Sequence, residues 1–432
     1  AILLESGAGT GKTTVLKSIL AYLGQLNSVA VLMAPTGRAA KVMGNYTNTS
    51  AFTIHKTIYQ RRVALDGASF TSVKANLFKD TLFVVDEASM IQAHTQDDEQ
   101  YGGKNLLSDL IEYVFSGINC KLLLLGDTAQ LPPVGSDKSK ALEKDWLRDE
   151  FDLCIAETEL NEVMRQALNS GILSNATELR ELIIGAEKQF SFLLNFPDIK
   201  SINGLELQDE LENAIANYGL EDVLLITKSN KRANLFNQQV RNRMLYFDEE
   251  LVSNDYLMVV KNNYHWLAAD SNNSYIANGD VVQVKKIKGF DEQFNLRFAD
   301  VVLYLVDFGI EFDAKILLDT LSSETPALPA AQSAELFAAL QELYAGEGSK
   351  KKIFEKIKAD PYYNALQVKF AYAVTCHKSQ GGQWPVVFID QGFLPDDKPD
   401  VGFYRWLYTA ITRASEQVFL LNFSPQFLPE ID

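Results

Sequence analysis

The residues that could do chemistry cluster where short apolar runs end. "AILLE" opens into "SGAGTGKTT", residues 6–14, and a helical pattern follows with Val15, Leu16, Ile19, Leu20 and Leu23 on one face. Glycines between a strand and a helix let backbone N–H groups turn inward onto phosphate oxygens. In the pattern G-x-x-x-x-G-K-T, Gly7, Ala8, Gly9, Thr10, Gly11, Lys12, Thr13 and Thr14 would cradle a nucleotide. Lys12 would reach the β- and γ-phosphates of ATP, and the Thr13 hydroxyl would ligate Mg²⁺. The first position departs from the pattern, with Ser6 where glycine is usual. A second run, "LFVVDEAS", ends in Asp86, placed to hold Mg²⁺ through water, and Glu87, placed to polarise an attacking water. A third, "LLLLGDTAQLPPVG", carries Gln130 to the same edge, where its amide could contact the γ-phosphate or the water. Pro132 and Pro133 stiffen the exit.

Such sites need parallel strands that end together. The runs "AILLES", "VAVLMAP", "TLFVVDE", "KLLLLGD", "DVLLITK", "FAYAVT", "VVFIDQ" and "QVFLLNF" are apolar throughout, as expected of parallel strands covered on both faces. Between two of them, "KNLLSDLIEYVF" puts Leu106, Leu107, Leu110, Ile111, Val114 and Phe115 on one helical stripe. This predicts an α/β fold with two doubly wound units, over 1–160 and from 161 to 432. Two stretches break the rhythm. Asp66-Gly67 sits between β-prone arms and predicts a hairpin over 59–73, within an insertion at about 56–78. From Asn278 to Leu317 apolar and polar residues alternate, as in a small barrel, and a charged helical stretch follows to about residue 365. The predicted division is 1–160, 161–277, 278–365 and 366–432.

The 432 residues carry 40 Lys and Arg against 56 Asp and Glu, a formal net charge of −16. Taken whole, that balance argues against a nucleic-acid partner. Its distribution argues otherwise. Residues 34–79 hold seven basic side chains and one acid, and residues 223–246 hold five (Lys228, Lys231, Arg232, Arg241, Arg243) and no acid. The three cysteines, Cys120, Cys154 and Cys376, lie far apart without a CxxC, against a disulfide framework or zinc site. No apolar run approaches the ~20 residues that span a bilayer, and no charged leader precedes the first strand. A soluble, cytoplasmic chain without membrane contact is expected.

In this order the blocks resemble those of superfamily 1 helicases, most closely the RecD/Pif1/Dda-like SF1B branch. They are "SGAGTGKTT", "APTGRAAKVM", "FTIHK", "VVDEAS", "GDTAQLPPVG", "ELNEVMRQ", "YAVTCHKSQGGQW" and "LYTAITRA". The resemblance implies two RecA-like P-loop NTPase domains, 1A and 2A, with ATP between them and single-stranded DNA across both. It casts the hairpin as the 1B insertion and the barrel as an SH3-like 2B insertion. It implies that Arg165 and Arg413 reach the γ-phosphate from the facing domain, and that Gln380 and Gly381 link nucleotide to strand. Pro35, Thr36, Thr53, His55, Thr375, His377 and Lys378 match positions that touch DNA in relatives, and movement 5′ to 3′ is inherited by analogy alone.

Relatives also carry an adenine-contacting glutamine upstream of the first strand. Either the chain extends beyond these residues or base recognition is relaxed. The expected activity is that of an ATP-dependent, monomeric DNA helicase acting on single strands and duplex junctions. The alternative is an ATP-gated DNA-binding subunit of a repair or recombination complex, with DNA-repair proteins as partners. A nuclease is disfavoured, because no cluster of acids and lysine offers a metal site for it.

Overall fold

A computed structural model describes residues 1–63, 69–93, 105–160, 169–185, 189–267, 276–394 and 398–429. Its strands are, in chain order, β1 (Ile2–Ser6), β2 (Val29–Ala34), β3 (Ala51–Thr53), β4 (Tyr59–Val63), β5 (Ser69–Val73), β6 (Thr81–Val85), β7 (Lys121–Gly126) and β8 (Ala156–Leu160). There follow β9 (Ile199–Ile202), β10 (Val223–Thr227), β11 (Tyr256–Val259), β12 (Val281–Gln293), β13 (Leu296–Leu305) and β14 (Ile310–Leu317). β15 (Leu366–Phe370), β16 (Ala373–Thr375), β17 (Trp384–Asp390) and β18 (Ala414–Leu421) complete the set.

The first sheet has the order β3-β2-β6-β7-β1-β8, and every pairing in it is parallel. The leucine run of β7 explains its place: Leu122, Leu123, Leu124 and Leu125 are all buried, because a central parallel strand is covered on both faces. One face packs on the helix Lys12–Gln25 through Leu16, and the other on the helix Leu106–Phe115 through Leu107, Leu110 and Val114. Because β7 lies between β1 and β6, the loop carrying Gln130 emerges between the P-loop and the Asp86-Glu87 pair. The second sheet, β16-β10-β17-β18-β9, repeats the parallel pairing for β10 with β17, β17 with β18 and β18 with β9. Two RecA-like parallel sheets are therefore present, with the hairpin formed by β4 and β5. The expected Asp66-Gly67 turn lies outside the described residues.

One compact unit comprises Ala1–Tyr59, Val73–Lys228 and Val374–Asp432, and holds the parallel sheets. The other comprises Gln60–Ser72 and Ser229–Ala373. Its centre is a closed barrel, β11-β12-β13-β14-β15, which begins before residue 278 and closes after 317. β14 pairs with β15 across the helical stretch, so the helices Ala330–Leu343 and Lys350–Ala359 form an excursion from the barrel. Leu336, Leu340 and Ile357 bury that excursion against Leu296, Phe298 and Leu317.

The same unit corrects the reading of the second basic segment. Arg241 is not a side chain open to a DNA backbone: it is buried in a two-pronged ion pair with Asp255, at 2.9 Å for each prong. A charge count along the sequence cannot tell a solvated arginine from one neutralised inside a core. Among the described residues, no helix is long and apolar enough to cross a membrane.

Candidate nucleotide site and strand track

The P-loop leaves β1 through two left-handed glycines, Gly9 at φ 73° and Gly11 at φ 90°, and hands Lys12 to the first turn of its helix. Positive φ values of that size are cheap only for glycine. Thr10 closes the loop with a hydroxyl bond to the Gly7 carbonyl at 2.9 Å. At Gly7 the space is also tight: a Cβ there would stand 3.1 Å from Arg180 Cδ, so the arginine would have to shift slightly. Ser6, the departure from the pattern, buries its hydroxyl without a partner.

At the end of β6, the Lys12 ammonium rests 3.3 Å from Asp86 Oδ1 and 3.9 Å from Glu87 Oε1. Burial alone would lower its pKa, but Asp86, Glu87 and Asp127 more than offset that and hold it well above the usual lysine value. Asp86 also accepts a 2.6 Å bond from the Tyr46 hydroxyl, which comes from the helix Gly37–Thr47. Burial and then the Asp86 charge push the Tyr46 phenol far up, so it stays a donor. Glu87 occupies a left-handed backbone conformation, φ 53°, that a non-glycine residue adopts at a cost of roughly 1 kcal/mol or more. Its Oε2 is buried and has no hydrogen-bond partner, and neither has Gln130 Oε1.

The loop after β7 is held from several sides. Asp127 accepts from Arg180 at 2.6 Å, from the Ala129 N–H at 3.0 Å and from the Tyr408 hydroxyl. Arg180 also reaches Glu5 at 3.3 Å and Glu159 at 3.1 Å. From the helix Val401–Ile411, Arg405 donates to the Thr128 and Gln130 carbonyls, and Thr409 accepts the Leu131 N–H at 2.8 Å. Gln380 donates to the Leu131 carbonyl at 2.7 Å. The residues just before Pro132-Pro133 are therefore fixed to the second sheet.

The residues expected along a strand track all stand where parallel strands end. Pro35 and Thr36 follow β2, Thr53 ends β3 and begins the short helix that holds His55, and Thr375 ends β16 just before His377 and Lys378. Thr36 caps its helix by accepting the Ala39 N–H, and Thr53 does the same for the Lys56 N–H, each at 3.2 Å. A cap of this kind contributes about 1 kcal/mol. Gly381, at φ 74°, brings the second group onto the first: a Cβ there would lie 2.9 Å from Ala39 Cβ and 3.1 Å from Thr36 Oγ1. Arg38 lies 3.9 Å over the Trp384 ring across the same seam.

The two arginines expected at the γ-phosphate differ in what can be said. Arg165 lies outside the described residues. Arg413 is 4% exposed, and its guanidinium donates to the Thr409 and Gly382 carbonyls and the Thr412 hydroxyl, all from its own sheet and helices. Tyr46, Asp127, Arg180, Arg405, Tyr408 and Thr409 were not singled out from sequence. Asp127, Tyr408 and Thr409 lie inside the quoted blocks and could have been; Arg180, one charge on an amphipathic helix, gave no signal.

The residues present suit a triphosphate with Mg²⁺. Left-handed glycines, a lysine beside two carboxylates and an unpaired buried oxygen on Glu87 meet there, and the loop after the neighbouring strand β7 carries the unpaired buried oxygen of Gln130. A family profile described as an AAA domain matches residues 1–136, and one described as a UvrD-like helicase C-terminal domain matches residues 370–421. The ATP-dependent RecD2 DNA helicase of Deinococcus radiodurans is 24% identical over 437 residues, covering 97% of this chain and 46% of that protein. The ATP-dependent DNA helicase Dda of Enterobacteria phage T4 is 24% identical over 270 residues, covering 60% of this chain and 56% of Dda. The chain thus spans about half the length of these two relatives. A known structure of Pif1 helicase from Bacteroides, in complex with ADP-AlF3 and single-stranded DNA, covers 99% of this chain and 90% of its own at 15% identity and a TM-score of 0.47. With the P-loop sheet matched by an AAA-domain profile and part of the second sheet by a UvrD-like helicase profile, the chain is similar to the SF1B, RecD/Pif1-like branch of the superfamily 1 helicases.

Proposed function

We propose that this chain is an ATP-driven DNA translocase and helicase, moving 5′ to 3′ on single strands by analogy with its relatives. The observation that carries the reading is the placement of Gln130. It lies on the loop after β7, the strand between β1 and β6; its Oε1 is buried without a partner, and its main chain is tied to the helix Val401–Ile411. A group that touches the reacting water and is fastened to the opposite sheet can convert a change at the nucleotide into movement of that sheet.

ATP would supply the phosphoryl group, with Lys12 and the amides of Gly7 to Thr14 holding its phosphates and Thr13 and Asp86 holding Mg²⁺. Lys12 would exchange Asp86 for phosphate oxygens, which frees that carboxylate for the metal's water. Glu87 Oε2 is open to accept a proton from water, and Gln130 would orient that water. Arg165, Arg413, Gln380 and Gly381 would join the nucleotide to the second domain. Pro35, Thr36, Thr53, His55, Thr375, His377 and Lys378 would line the DNA path in domains assigned to 1–160 and to 161–277 with 366–432.

ATP hydrolysis measured with and without single-stranded DNA tests the reading; rates that DNA leaves unchanged would count against it. Faster unwinding of 5′-tailed than 3′-tailed duplexes is expected, and the reverse order would remove the assigned direction. Single-turnover strand separation by the isolated chain distinguishes a helicase from an ATP-gated binding subunit.

Tyr46 gives a narrower expectation. Its hydroxyl orients Asp86 from behind, so Tyr46→Phe should weaken the apparent Mg²⁺ affinity of ATP hydrolysis by about tenfold, the scale typical of partners that orient a metal ligand. A Mg²⁺ titration at saturating ATP reads this directly, with the rate at high Mg²⁺ largely restored.

A further inference from the structure

The helix Val401–Ile411 touches the P-loop itself. The Ala8 N–H donates to the Tyr408 hydroxyl at 2.9 Å, and that hydroxyl donates to Asp127 Oδ2. Tyr408 is 1% exposed, and burial followed by the Asp127 charge raises its phenol well above the ordinary tyrosine range. The phenol is therefore a neutral group with one proton, committed to Asp127, and its oxygen is left to accept from Ala8. Arg180 fixes the other side of Asp127 at 2.6 Å and lies against Gly7. The connection runs from a P-loop amide through a tyrosine to an aspartate and an arginine, with each member on a different element.

Ala8 is the third residue of the loop that begins at Ser6, and loops of this type bind phosphate through their backbone N–H groups. An amide proton makes one strong bond at a time. While Tyr408 accepts it, a phosphate oxygen cannot take it at full strength. A phosphate oxygen is charged and forms a bond about twice as strong as a neutral hydroxyl does. Exchange of the partner is thus favourable, but the binding is weaker than it would be to a vacant amide.

We propose that Tyr408 is a phosphate surrogate, a positioning residue whose hydroxyl holds the Ala8 amide and yields it to the nucleotide's phosphate. The inference rests on the nucleotide reading above and deepens it by naming what the loop must let go when nucleotide arrives. Tyr408 keeps its bond to Asp127 during the exchange, so the helix Val401–Ile411 is freed from the P-loop while still tied to the loop of Gln130. The release therefore reports occupancy of the first sheet's loop to the second sheet's helix, without a group crossing between them.

The test is equilibrium binding of a fluorescent, non-hydrolysable ATP analogue to the full chain. Tyr408→Phe keeps the ring and removes the hydroxyl. It should bind the analogue about threefold to tenfold more tightly, the value of one exchanged hydrogen bond. A tie that merely braces the fold would leave that affinity unchanged or weaken it, and either result overturns the proposal. A second measurement does not depend on the variant: with 3-fluorotyrosine at position 408 of the otherwise native chain, adding the analogue should shift the ¹⁹F resonance. A resonance that stays in place as the analogue saturates the protein also overturns it. Failure of the native chain to bind the analogue at all is a different result, and refutes the nucleotide reading itself.

Discussion

Lys12→Ala is expected to lower ATP turnover by at least about a thousandfold, some 4 kcal/mol of lost transition-state stabilisation at ~1.4 kcal/mol per decade. The expectation follows from what surrounds the ammonium. It is the cation shared by Asp86 and Glu87, and it is kept charged although burial opposes the charge. Removing it takes away the group that would neutralise the charge growing between β- and γ-phosphates, and leaves two carboxylates facing each other at the end of β6. The second consequence could disturb the fold, so turnover alone is an ambiguous readout. Binding of a labelled oligonucleotide separates the two, because Pro35, Thr36 and Thr53 lie at the ends of β2 and β3, whereas Lys12 opens the helix that follows β1. Strand affinity within about threefold of the native value, with turnover abolished, is the expected pair of results. Appreciable turnover in the variant would show that the loop does not act on phosphate as argued.

How far the site could be read from sequence depended on whether each residue had a local signature. Lys12, Asp86, Glu87 and Gln130 each follow an apolar run, and a buried parallel strand cannot be written without one; hence the run predicts the strand, and the strand's end predicts the site. β8 escaped because the same logic works in reverse. Its sequence is "AETEL" and four of its five residues are exposed, since it is the edge strand beside β1 and needs no apolar faces. The barrel was legible from the alternation in β12 and β13, but β11 and β15 were not assigned to it, because β15 closes the barrel only after three intervening helices. Pairing at that separation leaves no local mark. Arg180 was the hardest to foresee: its three carboxylate partners, Glu5, Asp127 and Glu159, come from three different strand ends, and only the sheet order brings them together.

Arg241 shows the opposite error, in which a sequence signal was present and meant something else, and it carries a large expected effect. Its guanidinium is bonded twice to Asp255 and once to the Glu249 carbonyl at 2.8 Å, and it lies 4.2 Å over the Phe370 ring. Asp255 is fully buried and also accepts the Val252 N–H at 2.9 Å and the Tyr372 hydroxyl at 2.8 Å. Arg241→Leu would leave that carboxylate without its countercharge, and two neutral donors cannot replace a cation. A loss of about 3–5 kcal/mol is expected for the unit that holds the barrel, the usual cost of removing one partner of a buried pair. Urea unfolding followed by the fluorescence of Trp266, which belongs to that unit, reads it as a lowered midpoint. Were Arg241 instead part of a DNA track, the midpoint would barely move, and the dependence of strand affinity on salt would flatten by ~0.7 in log–log slope, the share of a single phosphate that the leucine no longer neutralises. In the burial account the slope of the folded variant stays at its native value. The two measurements on one substitution therefore decide whether the basic segment around Arg241 serves the strand or the core.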